Sequence, residues 1–167
     1  MALLSKAAPL SVSLETPPVP GSDRREGLRY LDWSYRGLLV ADFGEYTVVG
    51  VHLKSPYDGR RSSYETRQAQ VLGLLDFLGG LEGPVIVLGD FNDGPGRDAR
   101  ETEYGLSDAI GLLDGELARA VGPGVTQEDG LDIDQIFARG ASIGRRTVLG
   151  TDWDVSDHRP VIARVEL

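Results

Sequence analysis

The chain has 167 residues, of which 41% are apolar and 26% charged, enough to bury one real core. Acidic residues outnumber basic ones 26 to 17, a formal net charge of −9, which argues against a nonspecific nucleic-acid coat protein, since those are basic. There is no cysteine, and so no disulfide, no thiolate metal site and no cysteine nucleophile.

In chain order, "ALLS" at 2–5 and "LSVSLE" at 10–15 read as short strands. The apolar run at the N-terminus is too short for a signal peptide, and no interior run is long enough for a membrane helix. A soluble protein, cytoplasmic or secreted, is expected. The stretch "TPPVPGSDRREG" is a loop of prolines, glycines and charges. Residues 37–43 and 46–53 then predict a hairpin around Gly44.

Residues 63–79 change period. Tyr64, Arg67, Gln68, Val71, Leu74, Leu75 and Leu78 recur at helical spacing. Ser62 or Ser63 is the expected N-cap, and Gly79 and Gly80 the stop. "GPVIVLGDFN" predicts a strand buried on both faces and running into a polar tip. "LSDAIGLL" predicts a short helix. "LDIDQIFARG" alternates, with Ile133, Gln135 and Phe137 opposite Asp132, Asp134 and Ile136. "RRTVLGT" and "RPVIARVEL" read as two final strands. The order predicts mixed α/β layers with a helix on a sheet.

Four strand ends carry polar groups: His52, Asp90 with Asn92, Asp134, and Asp157 with His158. His52 and His158 are the only histidines. Gathered at one rim of a sheet, these groups would suit metal-assisted hydrolysis of a phosphate ester. A hard cation neutralises phosphoryl charge, a carboxylate orients water, and a carboxylate-backed imidazole handles the proton. Each group also has a plainer reading. "GDFND" is turn-rich, although Gly94 falls one place early for a calcium loop. Asp134 could pair with Arg139 or Arg145. Lys54, Arg60, Arg61 and Arg67 are either a solvated face or a basic rim that guides an anionic substrate. Ser156 and Asp157 adjoin His158 in sequence, which is poor geometry for a serine-hydrolase triad.

The segments "ALLSK", "RGLLVADF", "VVGVHLKS", "RQAQVLGLLDFL", "PVIVLGDFND", "LDIDQIFARG" and "VSDHRPVIARV" together resemble the endonuclease/exonuclease/phosphatase superfamily, the deoxyribonuclease-I-like phosphoesterases. The resemblance implies a hydrolase, with a nuclease as the leading reading and a phosphatase or lipid phosphodiesterase as the alternative. It implies that Asp90 aligns the attacking water and helps hold the metal, that Asn92 holds a phosphoryl oxygen, and that His158 is the catalytic histidine oriented by Asp134. His52 would meet the phosphate or the leaving group, Asp157 would lie near the metal, and Arg36 would contact the phosphate. Lys54, from the basic group above, is taken as a further substrate contact. The implied cofactor is Mg²⁺ or Mn²⁺, with Ca²⁺ as a further candidate, and nucleic acid is the implied substrate.

The same resemblance implies that residues 1–167 are a single domain, the C-terminal portion of the family domain. The expected fold is α/β (α+β), a partial four-layer αββα sandwich with mixed sheets. Its N-terminal strands would be missing, along with the family's metal-binding glutamate. A second chain or a homodimer is then expected to cover the missing part, and a catalytically incomplete, partner-binding fragment is the remaining alternative.

Overall fold

The computed structural model describes residues 5–18, 36–56, 58–94, 103–150 and 156–167. The predicted strand at 2–5, except Ser5, and most of the predicted loop at 16–27 lie outside them.

The central feature is a six-stranded mixed sheet in the order β1-β2-β3-β4-β6-β5. Its strands are β1 (Ser11–Glu15), β2 (Leu38–Asp42), β3 (Thr47–His52), β4 (Val85–Asp90), β5 (Ala118–Arg119) and β6 (Asp134–Arg139). The predicted hairpin is present: β2 and β3 pair antiparallel, and Gly44 turns the chain at φ 83°, which costs glycine nothing. β3 and β4 are parallel, joined over the long helix α1 (Arg61–Gly79), as a parallel crossover requires.

Helix α1 packs on one face of the sheet. Val71, Leu74 and Leu78 meet Val49, Val51, Val85, Val87 and Phe137 in one buried cluster. Ala109, Ile110 and Leu113 of the short helix α2 (Ala109–Asp114) join it. Neither Ser62 nor Ser63 caps α1. The cap position is Arg60, with no side-chain cap bond. Asp58 organises this turn instead, accepting the Arg60 backbone N–H at 3.1 Å and the Ser63 hydroxyl at 3.1 Å. Arg139 of β6 donates to the carbonyls of Leu78 and Leu81, both at 2.7 Å. It places a cation at the negative end of the helix.

β4 departs from expectation in burial. Val85 and Val87 are buried under α1, while Ile86 and Leu88 on the opposite face are only half-buried. The alternation of a one-sided strand is therefore what its apolar run conceals. The final segment also differs. Residues 159–167 form two short strands, not one. β9 (Val161–Ile162) pairs with β8 (Thr147–Val148), and β10 (Val165–Glu166) pairs with β7 (Ser142–Ile143). Two partners at different places divide a segment whose pattern alone reads as continuous.

Candidate active site

The site is written in the sheet register. His52 ends β3, Asp90 ends β4, and Asp134 begins the antiparallel β6. His52 lies opposite Asp90, and Asp90 lies opposite Asp134. One row of the sheet therefore carries all three, and strand alternation puts the row on the face away from α1. Gly89 makes this packing feasible. It adopts φ 141°, and a Cβ there would lie 2.1 Å from the Val51 carbonyl oxygen. Another residue would drive β3 and β4 apart.

His158 completes the row from a distant segment. Its neighbourhood is anchored by bridge pairing with Gln127 and by the Arg159 N–H donating to Thr126 O at 2.8 Å. The His158 Nδ1 lies 2.8 Å from Asp134 Oδ2. At the other end, His52 Nε2 lies 3.4 Å from Asp90 Oδ2. Two histidine–carboxylate pairs thus stand side by side. The His52 side chain is 45% exposed and that of His158 is 29% exposed, so His52 is the more open to an incoming molecule.

The tip of β4 is a closed hydrogen-bond motif. Asn92 takes a left-handed conformation, φ 51°, which asparagine tolerates better than most residues. Its backbone N–H donates to Asp90 Oδ1 at 2.7 Å. Its side-chain amide donates to Asp90 Oδ2 at 3.1 Å and to Leu53 O at 3.0 Å. An amide nitrogen carries two hydrogens, and both are spent inside the protein. Asn92 thus braces the Asp90 carboxylate.

The charges around the row shift its histidines in opposite directions. Burial lowers the His52 pKa, the Arg36 guanidinium lowers it further, and Asp90 offsets this only in part. Burial alone would also lower His158. The hydrogen bond and charge of Asp134, with the charges of Asp90 and Asp157, outweigh it and raise the pKa. Burial raises the Asp134 carboxyl, against the pull of His158 and Thr126.

The remaining predicted residues divide. Arg36 is half-buried and donates to the Leu53 carbonyl, next to His52. Asp157 is exposed, and its backbone carbonyl accepts the Glu128 N–H at 2.9 Å. Lys54 is half-buried, and its backbone N–H donates to Gln70 Oε1 at 2.8 Å. Arg67 does not belong to a basic rim. It is fully buried, and Arg61 pairs with Glu65 at 2.7 Å. Neither Arg139 nor Arg145 takes the Asp134 carboxylate. Arg139 caps α1, while buried Arg146 donates to the Asp134 backbone carbonyl at 3.0 Å, to Gln135 Oε1 at 3.2 Å, and to Asp132.

Sequence reasoning missed Arg146 and Thr126. The Thr126 hydroxyl accepts the N–H groups of Ile133 and Asp134 at 2.9 and 3.1 Å and so fixes the start of β6. An arginine in a chain segment and a threonine in a loop carry no signal of this by themselves. Among the described residues no three His, Cys, Asp or Glu side chains gather as a metal cage. Mg²⁺ takes only one or two carboxylates, with waters and substrate oxygens filling the rest. The oxygen donors of Asp90 are of the right kind for it.

A protein-family model described as the Endonuclease/Exonuclease/phosphatase family matches residues 1–158. The UPF0294 protein of Vibrio cholerae serotype O1 is 31% identical over 134 residues, which is 80% of this chain and 44% of that protein. The chain thus spans less than half the length of the curated relatives it matches. Among solved structures, the 3'-5' exonuclease from Neisseria meningitidis aligns with a TM-score of 0.64 at 21% identity, over 98% of this chain and 73% of that one. The Bacteroides thetaiotaomicron mannosyl-6-phosphatase aligns at 0.55 and 18%, over 79% of this chain and 57% of that one. These likenesses carry the fold.

Proposed function

The chain belongs to the endonuclease/exonuclease/phosphatase family, and we propose that it is a divalent-metal-dependent phosphoesterase that hydrolyses phosphodiester bonds, acting first on nucleic acid. The observation that carries this reading is the single row His52–Asp90–Asp134 with His158 docked on Asp134.

The roles follow from the hydrogen bonds. Asp134 holds the Nδ1–H of His158, which leaves Nε2 as the working nitrogen. The raised pKa favours the imidazolium, suited to meet a phosphoryl oxygen whose charge grows in the transition state. Asp90, braced by Asn92, orients the attacking water. His52, whose pKa burial and Arg36 lower so that the neutral form is favoured, stands within reach of substrate on the open side of the row. Mg²⁺ or Mn²⁺, held by Asp90 with Asp157 as the second carboxylate, would supply neutralisation of phosphoryl charge. The basic residues Arg36 and Lys54 would face the substrate.

The test is hydrolysis of plasmid DNA and of bis(p-nitrophenyl) phosphate with Mg²⁺, with Mn²⁺ and with EDTA, beside His158→Ala. Turnover should vanish in EDTA and fall by roughly 10²–10⁴ in the variant, the range for a lost general acid or base. Metal-independent cleavage that survives in His158→Ala would refute the reading. A similar protein is a mannosyl-6-phosphatase, so a phosphate monoester and a lipid phosphodiester belong in the panel. Faster turnover of either would move the assignment to the small-substrate or lipid branch.

A further inference from the structure

Arg67 lies in the middle of α1 with no exposed surface. Its guanidinium donates to the Asn92 backbone carbonyl, lies 3.6 Å from Asp93 Oδ1, and sits 5.4 Å from the centre of the Tyr64 ring. Asp93 is itself 2% exposed. Burying an arginine–carboxylate pair is an expensive way to join a helix to a sheet. Apolar side chains of similar volume commonly hold such a contact as well or better, and α1 already meets the sheet through Val71, Leu74 and Leu78. The pair therefore calls for a reason other than stability.

That reason lies at the tip of β4. Asn92 is the sole non-glycine residue at positive φ among the described residues. Its left-handed backbone turns its amide back onto Asp90 and Leu53. A strained residue persists only when its surroundings over-determine it. Its bonds to Asp90 and Leu53 are local to the tip and to the residue that follows β3. The one at its carbonyl comes from α1 through Arg67 and ties the tip to a 19-residue helix.

We propose that Arg67, with Asp93, is a positioning device: it locks the left-handed conformation of Asn92, and through Asn92 the orientation of the Asp90 carboxylate. This rests on the phosphoesterase reading above. Arg67 would touch neither substrate nor metal. Its effect would appear in kcat, because a misplacement of about 1 Å at a reacting group can cost about 100-fold, while substrate contacts elsewhere stay intact.

The test uses the full chain with Arg67→Lys and with the paired change Arg67→Met/Asp93→Leu, which removes both buried charges together. Kinetics on bis(p-nitrophenyl) phosphate are read beside thermal unfolding and amide hydrogen exchange. The expected result is cooperative unfolding in both variants, with KM within about twofold of the parent. kcat should fall about 100-fold in the paired variant and less in Arg67→Lys, which keeps the charge but loses the fork. The Asn92 amide should exchange faster in both, while the Val49 amide at the centre of the sheet is unchanged. Parental kcat in a folded variant overturns the proposal. So does a loss of kcat without faster exchange at Asn92, since the loss would then arise elsewhere. If the parent chain shows no turnover, the phosphoesterase reading fails on its own, and exchange at Asn92 decides: faster exchange supports the positioning role and unchanged exchange overturns it. If the paired variant does not unfold cooperatively, Arg67→Lys carries both readouts alone.

Discussion

At the scale of residues, the two histidines make opposite pH predictions. The His158 pKa is raised above 6.5 in the folded chain, so its contribution to stability is complete below 6.5 and is lost as pH rises through the folded value. The His52 pKa is lowered below 6.5. Its contribution is present above 6.5 and is lost as pH falls through the folded value. Thermal melts of His158→Gln and His52→Gln across this range should therefore tilt in opposite senses. His158→Gln should remove an alkaline-side loss, and His52→Gln an acid-side loss. Parallel profiles would refute the assignment. Asp134→Asn keeps the shape of the residue but removes the charge that holds the imidazolium. An NMR titration should show the His158 pKa falling in that variant, with hydrolysis reduced by roughly 10²-fold or more. An unmoved pKa would mean that the 2.8 Å contact does not set the histidine.

At the scale of elements, β3 and β4 must approach closely for His52 and Asp90 to share a row. Gly89 permits this, since a Cβ would meet the Val51 carbonyl oxygen at 2.1 Å and the φ of 141° disfavours any side chain. Gly89→Ala should destabilise the fold by about 2–3 kcal/mol, measured by urea unfolding. A change below about 0.5 kcal/mol would show that the strands separate without penalty. Arg139 joins β6 to the end of α1 with two charged hydrogen bonds. Arg139→Met should cost about 1.5–3 kcal/mol and leave the site row in place, so kcat should hold while the melting temperature falls.

At the scale of the whole molecule, β1 is, among the described residues, an outer strand paired with β2. Leu10, Val12 and Leu14 are 75%, 57% and 69% exposed, on one side of that edge. An unpaired edge with exposed apolar side chains is a template for sticking, and a lysine there blunts it. Val12→Lys should raise the concentration at which the chain remains clear in solution, by light scattering, without altering turnover. An unchanged scattering onset would remove β1 as the adhesive edge. The described residues contain no helix long and apolar enough to cross a membrane.

Much of this protein is legible in its sequence. The helical period over 63–79, the alternation of 134–139 and the hairpin at Gly44 are local properties, set by neighbours three or four positions away at most. The residue types of the proposed site are legible too, since the phosphate-ester chemistry proposed for it restricts which side chains would serve. Tertiary structure decided the rest, because it depends on partners far apart in the chain. Residues 52, 90 and 134 form one row only through the register of three strands. Arg67 is buried and not a surface cation because Asn92, 25 residues away, offers its carbonyl. The last segment splits because β7 and β8 lie apart. Asn92 braces Asp90 because the turn closes with Leu53, 39 residues upstream, as acceptor. Sequence supplies the donors and acceptors, and packing alone decides which of them meet.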